Sequence, residues 1–227
     1  QAKTGDDMRA AVVILNYKGW QDTKKCLAAM KKQTHEDFEI YLIDNGSGDD
    51  SVKELSKIKM KNIHFHQEPK NTGFTGGVNI GIRWAIEHGF DAVALLNNDA
   101  APEPDWLKNL ATALEQKPEV GAVTSLMLDT TGNFIDDAGD EYSTWGIPAL
   151  RAEHLPKDQA PDSGLLFGAT GGATLYRTKV FQQIGFFDED CFAYNEDVDI
   201  SWRMQLVGWK VWYEKTAVVF HKHSATS

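Results

Sequence analysis

Four short strand-like segments, at Ala10 to Asn16, Phe38 to Asp44, Ile63 to Gln67 and Ala92 to Leu96, alternate with stretches whose apolar residues recur at helical spacing. Few folds accept that rhythm. Short buried strands, each followed by an amphipathic segment, build a mostly parallel sheet with right-handed crossovers and helices on its faces. Asp22 to Lys32 places Cys26, Leu27 and Met30 on one helical face. Asp50 or Ser51 caps a short helix to about Lys57, and Gly76 to His88 turns Val78, Ile82, Ala85 and Ile86 inward. Pro104 opens a further helix that buries Trp106, Leu107, Leu110 and Leu114.

The second half is less regular. Val120 to Leu128 reads as a strand, Asn133 to Tyr142 as a hairpin, and Gly168 to Tyr176 as a small-residue strand beside a cleft. Pro148 to Ser163 has Pro, charges and no periodicity, the pattern of a mobile loop. Asp197 to Leu206 is a helix, followed by short strands at Lys210 to Tyr213 and Val218 to Phe220. No internal repeat or low-complexity tract interrupts this α/β pattern.

The chain of 227 residues suits one large domain or two small ones. Its net charge of -10 argues against a nucleic-acid partner or an anionic membrane surface, both of which favour basic stripes. An acidic protein that takes an anionic ligand needs a divalent cation or local basic groups. The two cysteines, Cys26 and Cys191, are no disulfide framework and point to a reducing, cytoplasmic compartment. Ala10 to Leu15, the longest purely apolar run, is far too short to cross a bilayer. Gln1 to Asp7 reads as a polar remnant outside the fold, and the end soon after His221-Lys222-His223 as a truncation. Membrane contact would then come through a missing segment or a partner.

Chemistry concentrates at strand ends, where open α/β sheets bind ligands. Asn16-Tyr17 offers an amide and an aromatic ring that can hydrogen-bond and stack on a base. Asp44-Asn45-Gly46-Ser47 offers a carboxylate suited to a nucleobase imide N–H, or equally an Asx-turn. Asn71-Thr72-Gly73-Phe74-Thr75-Gly76-Gly77-Val78-Asn79 combines glycines for close backbone approach with a helix N-terminus that attracts phosphate. Asn79 is expected in the first turn, facing the cleft. The glycine spacing is neither a P-loop nor a dinucleotide fingerprint. Asn97-Asn98-Asp99 ends an apolar strand in oxygen ligands suited to Mg²⁺ or Mn²⁺, with Asp99 giving a carboxylate and Asn97 a carbonyl. Glu196, Asp197 and Asp199 crowd a helix start. Asp199 pairs with Arg203 four residues on, which leaves Glu196 or Asp197 for proton abstraction. His221 and His223 point to one side of an extended segment, and one can complete a metal shell with Asp99. Trp202 neighbours the acids and can stack on a sugar.

Together these motifs resemble the family 2 inverting glycosyltransferases, in particular the bacterial rhamnosyltransferase-like branch. The resemblance runs from about Met8 to His223. It rests on Val13-Ile14-Leu15-Asn16-Tyr17, Ile43-Asp44-Asn45-Gly46-Ser47, Asn71-Thr72-Gly73-Phe74-Thr75-Gly76-Gly77 and Leu96-Asn97-Asn98-Asp99. It continues through Gly171-Gly172-Ala173, Gly185-Phe186-Phe187-Asp188-Glu189 and Glu196-Asp197-Val198-Asp199. It implies the GT-A (Rossmann-like) fold, with a nucleotide-sugar half over residues 8–100 and a smaller mixed acceptor half over 101–227. It further implies that Asp44 holds the nucleobase, that Asp99 touches the metal bridging the diphosphate, and that Gly171 and Gly172 line the acceptor side. Asp197 would be the base, with Glu196 its neighbour, and His221 would complete the metal shell. Asn97 departs from the family's Asp-x-Asp motif. The implied activity moves a sugar, rhamnose by resemblance, from a dTDP- or UDP-linked donor to a glycan or lipid-linked acceptor. The setting is polysaccharide biosynthesis at the inner face of the plasma membrane.

Two rivals have recognisable marks. A sugar nucleotidyltransferase needs a Gly-rich, Lys-containing loop after the first strand, which Asn16-Tyr17-Lys18-Gly19-Trp20 does not provide. A non-catalytic carbohydrate- or nucleotide-binding module has no need of Asp99, Asp197 and His221 together. A processive membrane synthase would carry a Gln-x-x-Arg-Trp motif, and none occurs.

Overall fold

The computed structural model describes residues 8–145 and 147–222. In chain order the elements are β1 (Ala10–Asn16), α1 (Trp20–Met30), β2 (Phe38–Asp44), α2 (Ser51–Leu55), β3 (Ile63–Gln67), α3 (Gly73–Glu87), β4 (Ala92–Asn97), β5 (Ala100–Pro102) and α4 (Trp106–Gln116). There follow β6 (Val120–Asp129), β7 (Ile135–Asp137), β8 (Asp140–Tyr142), β9 (Pro148–Leu150), β10 (Gly164–Leu166), β11 (Ala173–Arg177), α5 (Thr178–Ile184), α6 (Glu196–Leu206) and β12 (Lys210–His221).

A ten-stranded sheet runs in the order β10-β12-β6-β11-β4-β1-β2-β3, with β5 on β12 and β7 on β6. The β4-β1-β2-β3 half is wholly parallel. β1 and β4 are buried on both faces, β2 largely so toward its carboxyl end and the edge strand β3 only in part, and side chains alternate between two cores. Ala10, Val12 and Ile14 of β1 join Cys26, Leu27, Met30, Trp106 and Leu110 from α1 and α4. Ala11 and Val13 join Val78, Ile82 and Ala85 of α3, with Phe181 of α5 and Met204 of α6. Those two periodicities, two in the strands and about 3.6 in the helices, give the three-layer α/β/α sandwich.

The other half departs from simple alternation. β11 inserts antiparallel between β4 and β6, while β12 runs parallel to β6. The two short strands expected near the end form one, β12, with a register irregularity between Glu214 and Val218. The hairpin expected within residues 133–142 is redistributed. β7 pairs with β6, and β8 pairs with β9 from the segment expected to be a mobile loop. That segment also carries a 3₁₀ turn at Lys157–Gln159, and Leu155 accepts a bond from Ile135 N–H. Periodicity misses it because its elements are only three residues long, too short to show a period.

The order 3-2-1-4 places a topological switch between β1 and β4. A crevice opens there at the carboxyl ends of the strands, as in other open α/β sheets.

Candidate active site

A cavity of about 490 Å³ occupies that switch point. Tyr17 follows β1, Asn45 follows β2, Asn71, Gly73 and Phe74 open α3, and Asn97, Asn98 and Asp99 end β4. Gly171 and Gly172 precede β11, Glu196 and Asp197 open α6, and His221 ends β12. All of these line the cavity. Two strand registers assemble its far wall. Antiparallel pairing sets Ala173 against Leu96, so Gly172 O accepts from Asn97 N–H at 2.9 Å. Pairing of His221 with Ala100 brings the imidazole beside Asp99, the residue before Ala100.

At that corner His221 Nε2 lies 3.1 Å from Asp99 Oδ1, and His221 Nδ1 lies 2.7 Å from Asp136 Oδ2. Burial alone would lower the imidazole pKa, but the hydrogen bonds and charges of Asp136 and Asp99 outweigh it and lift His221 to about 9. Asn97 Nδ2 is 3.3 Å from the same Nε2. With Nε2 protonated toward Asp99, the amide is satisfied in the flipped sense, its oxygen toward the ring. Once Nε2 gives up that proton, Asp99, His221 and the Asn97 carbonyl offer the mixed oxygen and nitrogen donors that Mn²⁺ or Mg²⁺ takes. Among the described residues no three His, Cys, Asp or Glu side chains converge as a ready-made metal cage.

The second grouping sits at the start of α6. Asp197 accepts from Val198 N–H at 2.9 Å and from Gly171 N–H at 3.3 Å. Burial raises its pKa, and those backbone bonds oppose the rise. Glu196 is pushed up to about 7 by burial and by the charge of Asp197. Its Oε2 is buried with no hydrogen-bond partner among the described residues. Asp197, whose ionised form accepts two N–H bonds, is the member better kept as carboxylate. Burial also lifts Asp137 to about 7, and Asp140 to about 8 with help from the Asp197 charge. Gly171 lets these acids approach the backbone, since a Cβ there would lie 3.3 Å from Glu196 Oε1. A Cβ on Gly172 would lie 3.1 Å from Asn97 Nδ2, so the glycine pair spans both groupings.

Several expected site residues do other work. Asn16 and Asp44 are fully buried and off the cavity wall. Asp44 Oδ1 accepts from Asn16 Nδ2 at 2.8 Å and Ser47 Oγ at 2.6 Å, so the carboxylate ties the ends of β1 and β2 together. The wall there is Asn45 instead, which donates to Asn71 Oδ1 at 3.0 Å and Gly73 O at 2.9 Å. α3 starts at Gly73, three residues before the expected Gly76, so Asn79 falls in the second turn. Its amide faces away from the cleft, donating to Phe187 O at 2.9 Å and accepting from Phe187 N–H at 3.1 Å. Gly77 lies against Leu15 of β1, where it brings helix and sheet close, and Gly76 lies against Thr72, the residue before its own helix. Among the first-turn donors of α3, Thr75 N–H is taken by Phe192 O at 3.2 Å. Gly73 is required at that crossing: its φ is +77° and a Cβ would sit 2.5 Å from Phe192 O. Trp202 is 40 % exposed and packs edge-on against Tyr142 and Phe167, outside the cavity. Arg203 pairs with Asp199 as expected, at 2.9 Å from Nε. His223 and Gln1 to Asp7 lie outside the described residues.

The cavity also recruits Asp136, Asp137, Thr170, Phe192 and Tyr194, which the sequence motifs do not include. The tandem acids Asp136-Asp137 between apolar Ile135 and Ala138 are the signal that could have found two of them. Their significance depends on β7 pairing with β6.

Three kinds of likeness bear on this geometry. The family model described as glycosyl transferase family 2 matches residues 11–185. An N-acetylglucosaminyl-diphospho-decaprenol L-rhamnosyltransferase of Mycobacterium tuberculosis is 28 % identical, over 95 % of this chain and 76 % of its own. A low-salt glycan biosynthesis hexosyltransferase of Haloferax volcanii is 26 % identical, over 87 % of this chain and 61 % of its own. The crystal structure of GalNAc-T7 with UDP, GalNAc and Mn²⁺ superposes with a TM-score of 0.78 at 17 % identity. The match covers 95 % of this chain and 43 % of that one, and shows a shared fold, the GT-A fold.

Proposed function

The chain belongs to glycosyl transferase family 2 and is a transferase of sugars, and we propose that it moves a hexose from a dTDP- or UDP-linked donor to a hydroxyl of a glycan or lipid-linked acceptor. Residues 8–100 supply most of the donor side and residues from 101 onward most of the acceptor side, working as one unit. The observation that carries this reading is the pairing, in one cavity, of a hydrogen-bonded carboxylate at Asp197 with an oxygen and imidazole corner at Asp99, Asn97 and His221. The rhamnosyltransferase relative favours rhamnose as the sugar and a polyprenyl diphosphate-linked acceptor.

Asp197 takes the proton of the acceptor hydroxyl as its oxygen attacks the anomeric carbon. The bond from that carbon to the diphosphate breaks on the opposite side, and the electron pair leaves with the nucleoside diphosphate. The anomeric configuration inverts. Gly171 N–H holds Asp197 in place, and Tyr17, Asn45 and Asn71 form the wall beside the nucleobase. No Lys or Arg among the described residues lines the cavity, so the diphosphate lacks a side-chain countercharge apart from His221. A cation held by Asp99, Asn97 and His221 would supply Lewis-acid stabilisation of the leaving group.

Calorimetric titration with UDP, dTDP and GDP, each with and without Mn²⁺, tests the reading. Metal-dependent binding of UDP or dTDP is the expected result. A folded sample that binds none of the three overturns it.

Among the described residues no helix is long and apolar enough to cross a membrane. A lipid-linked acceptor would then be met at a membrane surface through a segment or partner outside these residues.

A further inference from the structure

We propose that Asp136 is a positioning residue for the cation corner: its carboxylate accepts the hydrogen bond of His221 Nδ1–H and so aims Nε2 at Asp99 and Asn97. The inference rests on the metal-dependent reading above.

Asp136 belongs to β7 and His221 to β12, and β6 lies between them in the sheet. Their side chains nevertheless meet over β6, with Nδ1 and Oδ2 2.7 Å apart. Neither is loosely held, at 11 % and 17 % side-chain exposure. An imidazole ring has two chemically distinct nitrogens, and a cation takes the one that carries no proton. An ionised carboxylate only accepts hydrogen bonds, so the nitrogen facing Asp136 must be the N–H. Nε2 also faces a carboxylate here, with Asp99 Oδ1 at 3.1 Å. It therefore becomes a ligand only where an arriving cation displaces its proton, while Nδ1–H stays on Asp136.

Carboxylate partners of metal-bound histidines act in this way, fixing both tautomer and ring orientation. The arrangement also explains why β7 follows β6 so closely in the sheet. Leu128 pairs with Ile135 on one side and with Phe220 on the other, which puts the next residues, Asp136 and His221, within reach of each other.

The test is Mn²⁺ affinity, read by the loss of the free-ion electron paramagnetic resonance signal in the presence of UDP. Four proteins are compared: wild type, Asp136→Ala, His221→Ala and the double variant, each checked for folding by circular dichroism. Asp136→Ala is expected to weaken Mn²⁺ binding about 10–100-fold. In the His221→Ala background the same change is expected to cost nothing further, because Asp136 acts through the ring. Asp136→Asn keeps the side-chain shape and an oxygen acceptor, so it folds if Ala does not and loses less affinity. Wild-type Mn²⁺ affinity in the folded Asp136 variants overturns the inference while leaving the metal-dependent reading intact. Additive losses in the double variant overturn it differently, by making Asp136 a direct ligand. A wild-type protein that takes up no Mn²⁺ with UDP or dTDP ends both.

Discussion

The cavity holds two carboxylate groupings that relieve their charge in opposite ways. At the β4–β12 corner, Asp99 and Asp136 share one imidazole, and the result is a cationic histidine lifted to about 9. At the start of α6, Glu196 and Asp197 have no salt bridge among the described residues, and Asp137 and Asp140 add to the crowding. There, burial and mutual repulsion favour protonation instead. The difference teaches how one acidic cavity serves two tasks. A corner whose positive charge is already matched by carboxylates is ready to exchange that charge for a metal ion. A cluster that stores protons can leave a single ionised carboxylate where a hydroxyl must be deprotonated.

The sharpest way to break this contrast is to remove the carboxylate assigned as base. Asp197→Asn should cut turnover by about 10²–10⁴-fold, the usual worth of general-base help. Donor affinity measured by calorimetry should hold, and near-wild-type turnover would remove Asp197 from the role. Removing the shared imidazole tests the other grouping. His221→Ala should weaken Mn²⁺-dependent nucleotide binding at least about tenfold while leaving any metal-independent binding unchanged. If nucleotide affinity in Mn²⁺ is the same with and without the ring, the corner is structural.

A pH series on stability compares the groupings without touching the reaction. Asp137, Asp140 and Glu196 have folded-state values of about 7, 8 and 7, against ordinary values near 4. In that interval the folded protein holds protons the unfolded chain has released. The stabilisation is therefore complete below about pH 4 and is lost as pH rises through 7 to 8. Each carboxyl that is protonated only in the folded protein removes about 1.4 kcal/mol for every pH step of one. Between pH 6 and 8 these three carboxyls should lower the unfolding free energy by about 2–5 kcal/mol. His221, which keeps its proton to about 9 in the folded protein but loses it near 6.5 in the unfolded chain, adds to the fall in the same direction. Asp140→Asn should flatten that slope. Chemical denaturation showing stability flat or rising from pH 6 to 8 would refute the protonated cluster.

The smallest expected effect separates support from site. Asn79→Ala strands the backbone of Phe187 and should cost about 1–3 kcal/mol of stability. Nucleotide affinity should not change. An affinity loss larger than the stability loss would return Asn79 to the cleft.

The strands β1, β2 and β3 and the residues at their ends were legible because each is a local signal. Val12 to Ile14 and Ile40 to Ile43 are short, β-branched-rich runs bounded by turn residues, the pattern of buried strands whose ends open at the carboxyl edge of the sheet. Asp44 and Asn16 show the limit of that logic. They are at the right strand ends, but their polar groups bond to each other and to Ser47 and Thr23, and no motif says which way a side chain turns. Asn79 fails for a related reason, because a helix that begins three residues early rotates every later side chain by most of a turn.

The sequence by itself determined a three-layer α/β sheet, the strand ends that open on the cleft, and the types of chemical group delivered there: Asn97 to Asp99, Glu196 with Asp197, and His221. Those follow from periodicity and residue chemistry, which are local. Only the tertiary structure decided which of those groups meet. The antiparallel insertion of β11, the register of His221 against Ala100, and the reach of Asp136 across β6 each depend on pairing between distant segments. Their energies come from a sheet completed late in the chain, and no short window of sequence contains both partners.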